Sequence, residues 1–90
     1  MAVQVSIPTI LRTYTDGAKA VNGSGGTLDE VFTDLDRQYP GLRDRIVDAD
    51  KVKKFVNIYL NDEDIRFTGG LTTTVADGDS ITVLPAVAGG

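Results

Sequence analysis

The chain is 90 residues long, 41% hydrophobic and 24% charged, with a formal net charge of −4, which fits one small globular domain with a modest core and no deep substrate cavity. The acidic balance argues against nucleic acid and against an anionic membrane surface, both of which select basic stripes. There is no Cys and no His, so disulfides, thiol chemistry, soft metal sites and the commonest general base are excluded.

The first ten residues, MAVQVSIPTI, lack the basic and long apolar regions of a secretory signal. No apolar run approaches the length needed to cross a membrane, and a cytoplasmic protein is expected. Val3, Val5 and Ile7 alternate with Gln4 and Ser6, which predicts a strand with one buried face. Asp16-Gly17 is a turn signal, and a weaker strand over 18–22 would close a hairpin. Thr27 and Glu30 have the spacing of a capping box. Leu28, Val31, Phe32, Leu35 and Tyr39 then fall on one helical face, predicting the main helix over 28–39, stopped by Pro40-Gly41.

Residues 42–54 are polar and weakly patterned, and read as a connection with one helical turn near Arg45. FVNIYL predicts a strand with Val56, Ile58 and Leu60 inward and Asn57 and Tyr59 outward. Residues 61–64 read as a turn, IRF as a short strand, and Gly69-Gly70 as its end. LTTTVADGD reads as a turn leading to the last strand, SITVLP, with Ile81 and Val83 inward and Leu84 outward. The expected core is Val3, Val5, Ile7, Leu28, Val31, Leu35, Val56, Ile58, Leu60, Ile81 and Val83. The class is α+β, one helix across one mixed sheet, with the first and last strands parallel at its centre.

Motifs for in-chain chemistry fail on inspection. NDEDIRF has no central Gly, and Arg66 stands where a calcium ligand belongs; DADKVKK fails in the same way. GSGGT before the helix has the look of a phosphate loop but lacks the lysine, and Leu28 stands where a dinucleotide loop needs Gly. The carboxylate pairs Asp48/Asp50 and Asp77/Asp79 have no cleft around them and read as solvated surface. No active site is expected, and no bound cofactor or metal.

What remains is the end, VLPAVAGG. Gly orders at the highest entropic cost and packs nothing, so a Gly pair here is expected to work rather than to stabilise. The sequence divides into a domain over 1–85 and a tail over 86–90, whose five residues reach at most about 17 Å. Without side chains at its tip, such an arm can thread a narrow channel and lie close to a bound nucleotide. The Gly90 carboxylate is a poor electrophile until activated, most simply as a mixed anhydride with a nucleotide phosphate. It can then take a sulfur, becoming a thiocarboxylate, or a lysine amine, becoming an amide. Gly89, Ala88 and Val87 complete the arm. Leu84 and Tyr59, on the sheet face away from the helix, are candidates for docking a partner together with Pro85.

The strand order resembles the β-grasp, or ubiquitin-like, fold. VSIPTILR, FVNIYLNDEDIRF and ITVLPAVAGG are similar to the small sulfur carriers of the thiamine and molybdopterin type, and most of all to those that work with a cysteine synthase. The resemblance spans nearly the whole chain. It implies a protein co-substrate, not an enzyme. An enzyme of the ubiquitin-activating type would use ATP to adenylate Gly90, and sulfur would replace the adenylate. The acceptor would be an activated serine on a PLP-dependent synthase, and a zinc metallopeptidase would release the cysteine formed. A carrier for molybdopterin or another sulfur metabolite, or a modifier joined to lysines through Gly90, remain as alternatives. The 42–54 connection is longer than in thiamine-type carriers, which disfavours that branch.

Overall fold

The computed structural model describes residues 2–48, 51–53 and 56–85. Strands β1 (Val3–Ser6), β2 (Ala20–Gly23), β7 (Ser80–Pro85), β5 (Val56–Leu60) and β6 (Glu63–Asp64) form one sheet in the order β2-β1-β7-β5-β6. β1 and β7 pair parallel at its centre, with Val5 opposite Ile81, and the remaining pairs are antiparallel. This is the mixed sheet that the alternating patterns predict.

Helix α1 (Leu28–Gln38) crosses one face. Leu28, Val31, Phe32 and Leu35 are fully buried and meet Val3, Val5, Ile58, Ile81 and Val83 from the strands. Its start is closed from both sides: the Glu30 N–H, a donor that a helix start leaves unpaired, gives to Thr27 Oγ1 at 3.3 Å, and the Gly26 N–H of the preceding loop gives to Glu30 Oε1 at 2.7 Å. The helix ends at Gln38, with Tyr39 as its C-cap, and Gly41 turns the chain at φ +94°.

Several connections differ from expectation. The hairpin between β1 and β2 is not tight. Pro8 starts a 3₁₀ helix over Thr9–Thr15, which buries Leu11 and ends where Asp16 and Gly17 take positive φ. Pro fixes the φ that opens such a turn. Residues 42–54 carry core: α2 (Leu42–Ile46) buries Leu42 and Ile46, and β3 (Val47–Asp48) pairs with β4 (Lys51–Val52) as a separate ribbon. The turn near Arg45 is therefore present, and Arg45 stacks over the Tyr14 ring at 5.7 Å.

The short strand placed at IRF lies two residues earlier, at Glu63–Asp64. Asn61 and Asp62 make the reversal at φ +50° and +74°, a conformation Asn and Asp tolerate in two-residue turns. Asp64 Oδ1 then accepts the Arg66 N–H at 2.9 Å, which tips Ile65–Phe67 into a 3₁₀ turn. LTTTV is more than a turn as well, since Leu71 and Val75 are buried. Val56 and Leu60 are half-buried at the margin of the core rather than within it.

Candidate functional site

The tail is fed by β7, whose start and finish are fixed differently. At the start, Asp79 accepts the Ala76 N–H at 2.8 Å and the Asn61 amide at 3.0 Å, while Asn61 Oδ1 accepts the Ser80 N–H at 2.9 Å. These bonds hold the Asp79 carboxyl below the usual carboxylate range, the Asn61 amide first and the Ala76 N–H second. Asp77 accepts the Ala2 N–H at 2.8 Å. The pair Asp77/Asp79, read from sequence as solvated surface, thus ties the entry of β7 to the β5–β6 turn and to the head of β1.

At the finish, the ladder with β1 stops at Ser6–Thr82, while the ladder with β5 continues to Val56–Pro85. Pro85 has no N–H to give, and past the end of β1 it removes no bond from that side. Tail residues Val87, Ala88, Gly89 and Gly90 lie outside the described residues.

Of the expected docking residues, Leu84 is 46% exposed and stands opposite Asn57 on the face away from α1. Tyr59 shares that face, opposite Thr82 on one side and Asp64 on the other. It therefore sits beside the Asp64–Arg66 pair, in which Arg66 Nη2 donates to Asp64 Oδ2 at 2.6 Å and Nε to Oδ1 at 3.1 Å. That pairing lowers the Asp64 carboxyl and raises the Arg66 guanidinium.

Leu84 and Pro85 instead join a shallow groove with Pro8, Ile10, Arg12 and Lys19. Ile10, 68% exposed, and the two basic residues carried no periodic signal and were missed in the sequence. The groove is assembled from residues 6–12 and 19–20 and, from the far end of the chain, 82–85.

Other chemistry is closed off locally. The amides of the glycine loop before α1 are engaged by the protein's own carboxylates, Ser24 N–H with Asp34 and Gly26 N–H with Glu30, where a phosphate would have to displace them. Asp64 is engaged by Arg66. Among the described residues no group of three or more acidic side chains could hold a metal ion, and no helix is long and apolar enough to cross a membrane.

A central parallel pair of the first and last strands, in a mixed sheet crossed by one helix, defines the ubiquitin-like β-grasp class. The sequence matches the ThiS family over residues 5–90, and the chain belongs to that family. It is 58% identical to the sulfur carrier protein CysO of Mycobacterium tuberculosis, over all of both chains. The solved complex of BexX and CysO from Amycolatopsis orientalis contains a chain that superposes with a TM-score of 0.94 at 53% identity, covering 99% of this chain and 100% of that one. Small archaeal modifier protein 3 of Haloferax volcanii is 36% identical over 71% of this chain and 70% of its own length. Within this family the chain is a protein co-substrate on which partner enzymes act, not itself an enzyme.

Proposed function

We propose that the chain is a sulfur carrier whose Gly90 carboxylate is adenylated by an ATP-dependent enzyme of the ubiquitin-activating type and then converted to a thiocarboxylate. The observation that carries this reading is the family match running from residue 5 to residue 90, with 58% identity across the full length of a named sulfur carrier. Adenylation joins a Gly90 carboxylate oxygen to the α-phosphorus of ATP and expels pyrophosphate. A sulfur nucleophile then attacks the carbonyl carbon, the bond to the AMP oxygen breaks, and AMP leaves.

The unit over 1–85 positions and the arm over 86–90 delivers. Gly89 has no Cβ and lets the arm pass close to the nucleotide, and Ala88 and Val87 link it to Pro85. Docking runs through the outer sheet face around Leu84 and Tyr59. ATP, PLP and zinc belong to the partners. The acceptor is a PLP-dependent cysteine synthase, with a zinc metallopeptidase releasing the product, in line with the resemblance of VSIPTILR, FVNIYLNDEDIRF and ITVLPAVAGG to carriers of that pathway. The likeness to an archaeal modifier protein favours a second reading, amide conjugation of Gly90 to lysines.

The test is pyrophosphate release. With the adenylating partner and MgATP, the full chain releases pyrophosphate stoichiometrically with carrier, and a chain lacking Gly89 and Gly90 releases none. Equal release by the shortened chain would contradict the reading. Heavier protein conjugates in place of a thiocarboxylate would favour the modifier.

A further inference from the structure

β6 is shorter than the strand it covers. It pairs only with Tyr59 and Leu60, so the outer edge of β5 from Val56 to Ile58 meets no strand among the described residues. Uncovered sheet edges of this kind invite pairing with another chain. A cavity of about 250 Å³ opens there, between β5, β4 and the 3₁₀ turns that follow β6. Apolar Val52, Val56, Ile58, Ile65 and Leu71 line it, with Lys53 beside them. It falls below the roughly 300 Å³ at which small-molecule sites begin, and it has room for one aromatic side chain.

Phe67 stands on the same edge, next to Arg66 of the cavity lining. It is 82% exposed, the most exposed large apolar side chain among the described residues. Its neighbours hold it out. Ile65, two residues back, is buried, and a 3₁₀ turn sets residues two apart on different sides. The Arg66 N–H is bonded to Asp64, and the Thr68 N–H donates to Ile65 O at 3.0 Å, so the turn is closed at both ends. The edge thus carries an apolar knob beside an apolar hole.

Its two ends carry opposite charge. Lys53 is held at the start of β5, where its carbonyl accepts the Val56 N–H at 3.0 Å. Glu63 stands opposite Leu60 at the finish, with Asp62 before it in the turn, and both are exposed. The length of β5 sets the two ends about 13 Å apart.

We propose that this edge is an isologous interface whose occupant is a second copy of the chain. A two-fold axis perpendicular to the strands sets the two β5 edges antiparallel. Phe67 of each copy enters the cavity of the other, and Lys53 of each meets Glu63 of the other. A patch complementary to itself in this way closes as a dimer and grows no further. Buried aromatic anchors supply most of the hold in such contacts, and the charge pairs fix the antiparallel register, since a parallel one sets like charges together. General repulsion between two chains of net charge −4 keeps the dimer weak, with a dissociation constant on the order of 100 μM. The two β7 strands finish at opposite ends of the pair. The interface lies at the β5 edge, apart from the groove beside Leu84, and it stands whether or not the chain carries sulfur.

The test is sedimentation equilibrium of the full chain between about 10 μM and about 1 mM. The average mass should rise with concentration from that of one chain toward that of two. Phe67→Ser, at a site too exposed to matter for folding, should weaken association by at least about tenfold. Lys53→Glu and Glu63→Lys should each weaken it, and the two exchanges together should restore it, which no general loss of stability could do. Arg37→Glu makes the same change of charge on the exposed side of α1 and should leave association as it is. A parent that remains a single chain at about 1 mM would overturn the inference. So would association that Phe67→Ser leaves unchanged, or a double exchange that associates no better than the single ones.

Discussion

Asn61 and Asp79 grip each other across 18 residues of sequence: the Asn61 amide donates to Asp79 Oδ1 at 3.0 Å, and Asn61 Oδ1 takes the Ser80 N–H in return. The turn between β5 and β6 is thereby fastened to the head of β7. Every residue of β7, and the point from which the tail departs, is referred to that clamp.

A pH dependence follows from it. The Asp79 carboxyl titrates below its ordinary value because Asn61 and the Ala76 N–H stabilise the charged form. A group depressed on folding contributes stability above its unfolded pKa, about 3.9 for Asp, and that contribution is lost as pH falls through the lower folded value. Asp79→Asn should therefore lower stability at neutral pH and flatten the loss of stability below about pH 4. Urea unfolding midpoints across that range check it, and parallel curves for variant and parent would contradict the clamp.

The helix face is tested at Leu35, which is fully buried against the sheet. Leu35→Ala should cost about 2–5 kcal/mol through lost contact and the cavity left behind. A cost below about 0.5 kcal/mol, the range of surface changes, would contradict the packing described.

The glycine loop before α1 gives a sharper expectation. A Cβ on Gly25 would stand 2.7 Å from the Glu30 Cβ and the Val31 N, both fixed by the first turn of the helix. Gly25→Ala should destabilise by about 1–3 kcal/mol, as overpacking does, while Gly17→Asn should be tolerated at φ +86° with open space around it. Equal melting temperatures for Gly25→Ala and the parent would contradict this close approach.

Leu84 carries the docking claim. It is half in solvent, so Leu84→Glu should change stability by less than about 1 kcal/mol while weakening capture by the adenylating partner. Surface plasmon resonance with the immobilised partner reads the second effect and thermal unfolding the first. Unchanged binding would remove the outer sheet face around Leu84 from the interface.

β1, α1, β5 and β7 were legible in the sequence because each holds enough residues for its period to show. Val3-Val5-Ile7 and Leu28-Val31-Phe32-Leu35 leave no other reading. The 3₁₀ helix after Pro8 was hidden, since it buries few side chains, Leu11 foremost, and a turn so short shows no period. α2 has five residues and the β3–β4 ribbon two a side, too few for either period to show, so the core residues Leu42, Ile46 and Val47 read as part of a polar connection. The strand near Ile65 was misplaced because the Asp64 side chain bonds the Arg66 N–H, a local choice that hydropathy does not record. Leu84 and Tyr59 were assigned to the outer face by parity alone. The groove was not legible, because Ile10, Lys19 and Leu84 meet only after three strands have paired.

That the bonds made and broken in the carrier are those of the Gly90 carboxyl is tested most directly by mass. Full-length carrier is incubated with the adenylating partner, MgATP and a sulfur source, then digested. The carrier reading predicts a gain of about 16 Da, one carboxyl oxygen replaced by sulfur as a covalent modification, located in the peptide that contains Gly90 and abolished when Gly90 is removed. A variant lacking both Gly89 and Gly90 that still transferred sulfur at the normal rate would contradict it.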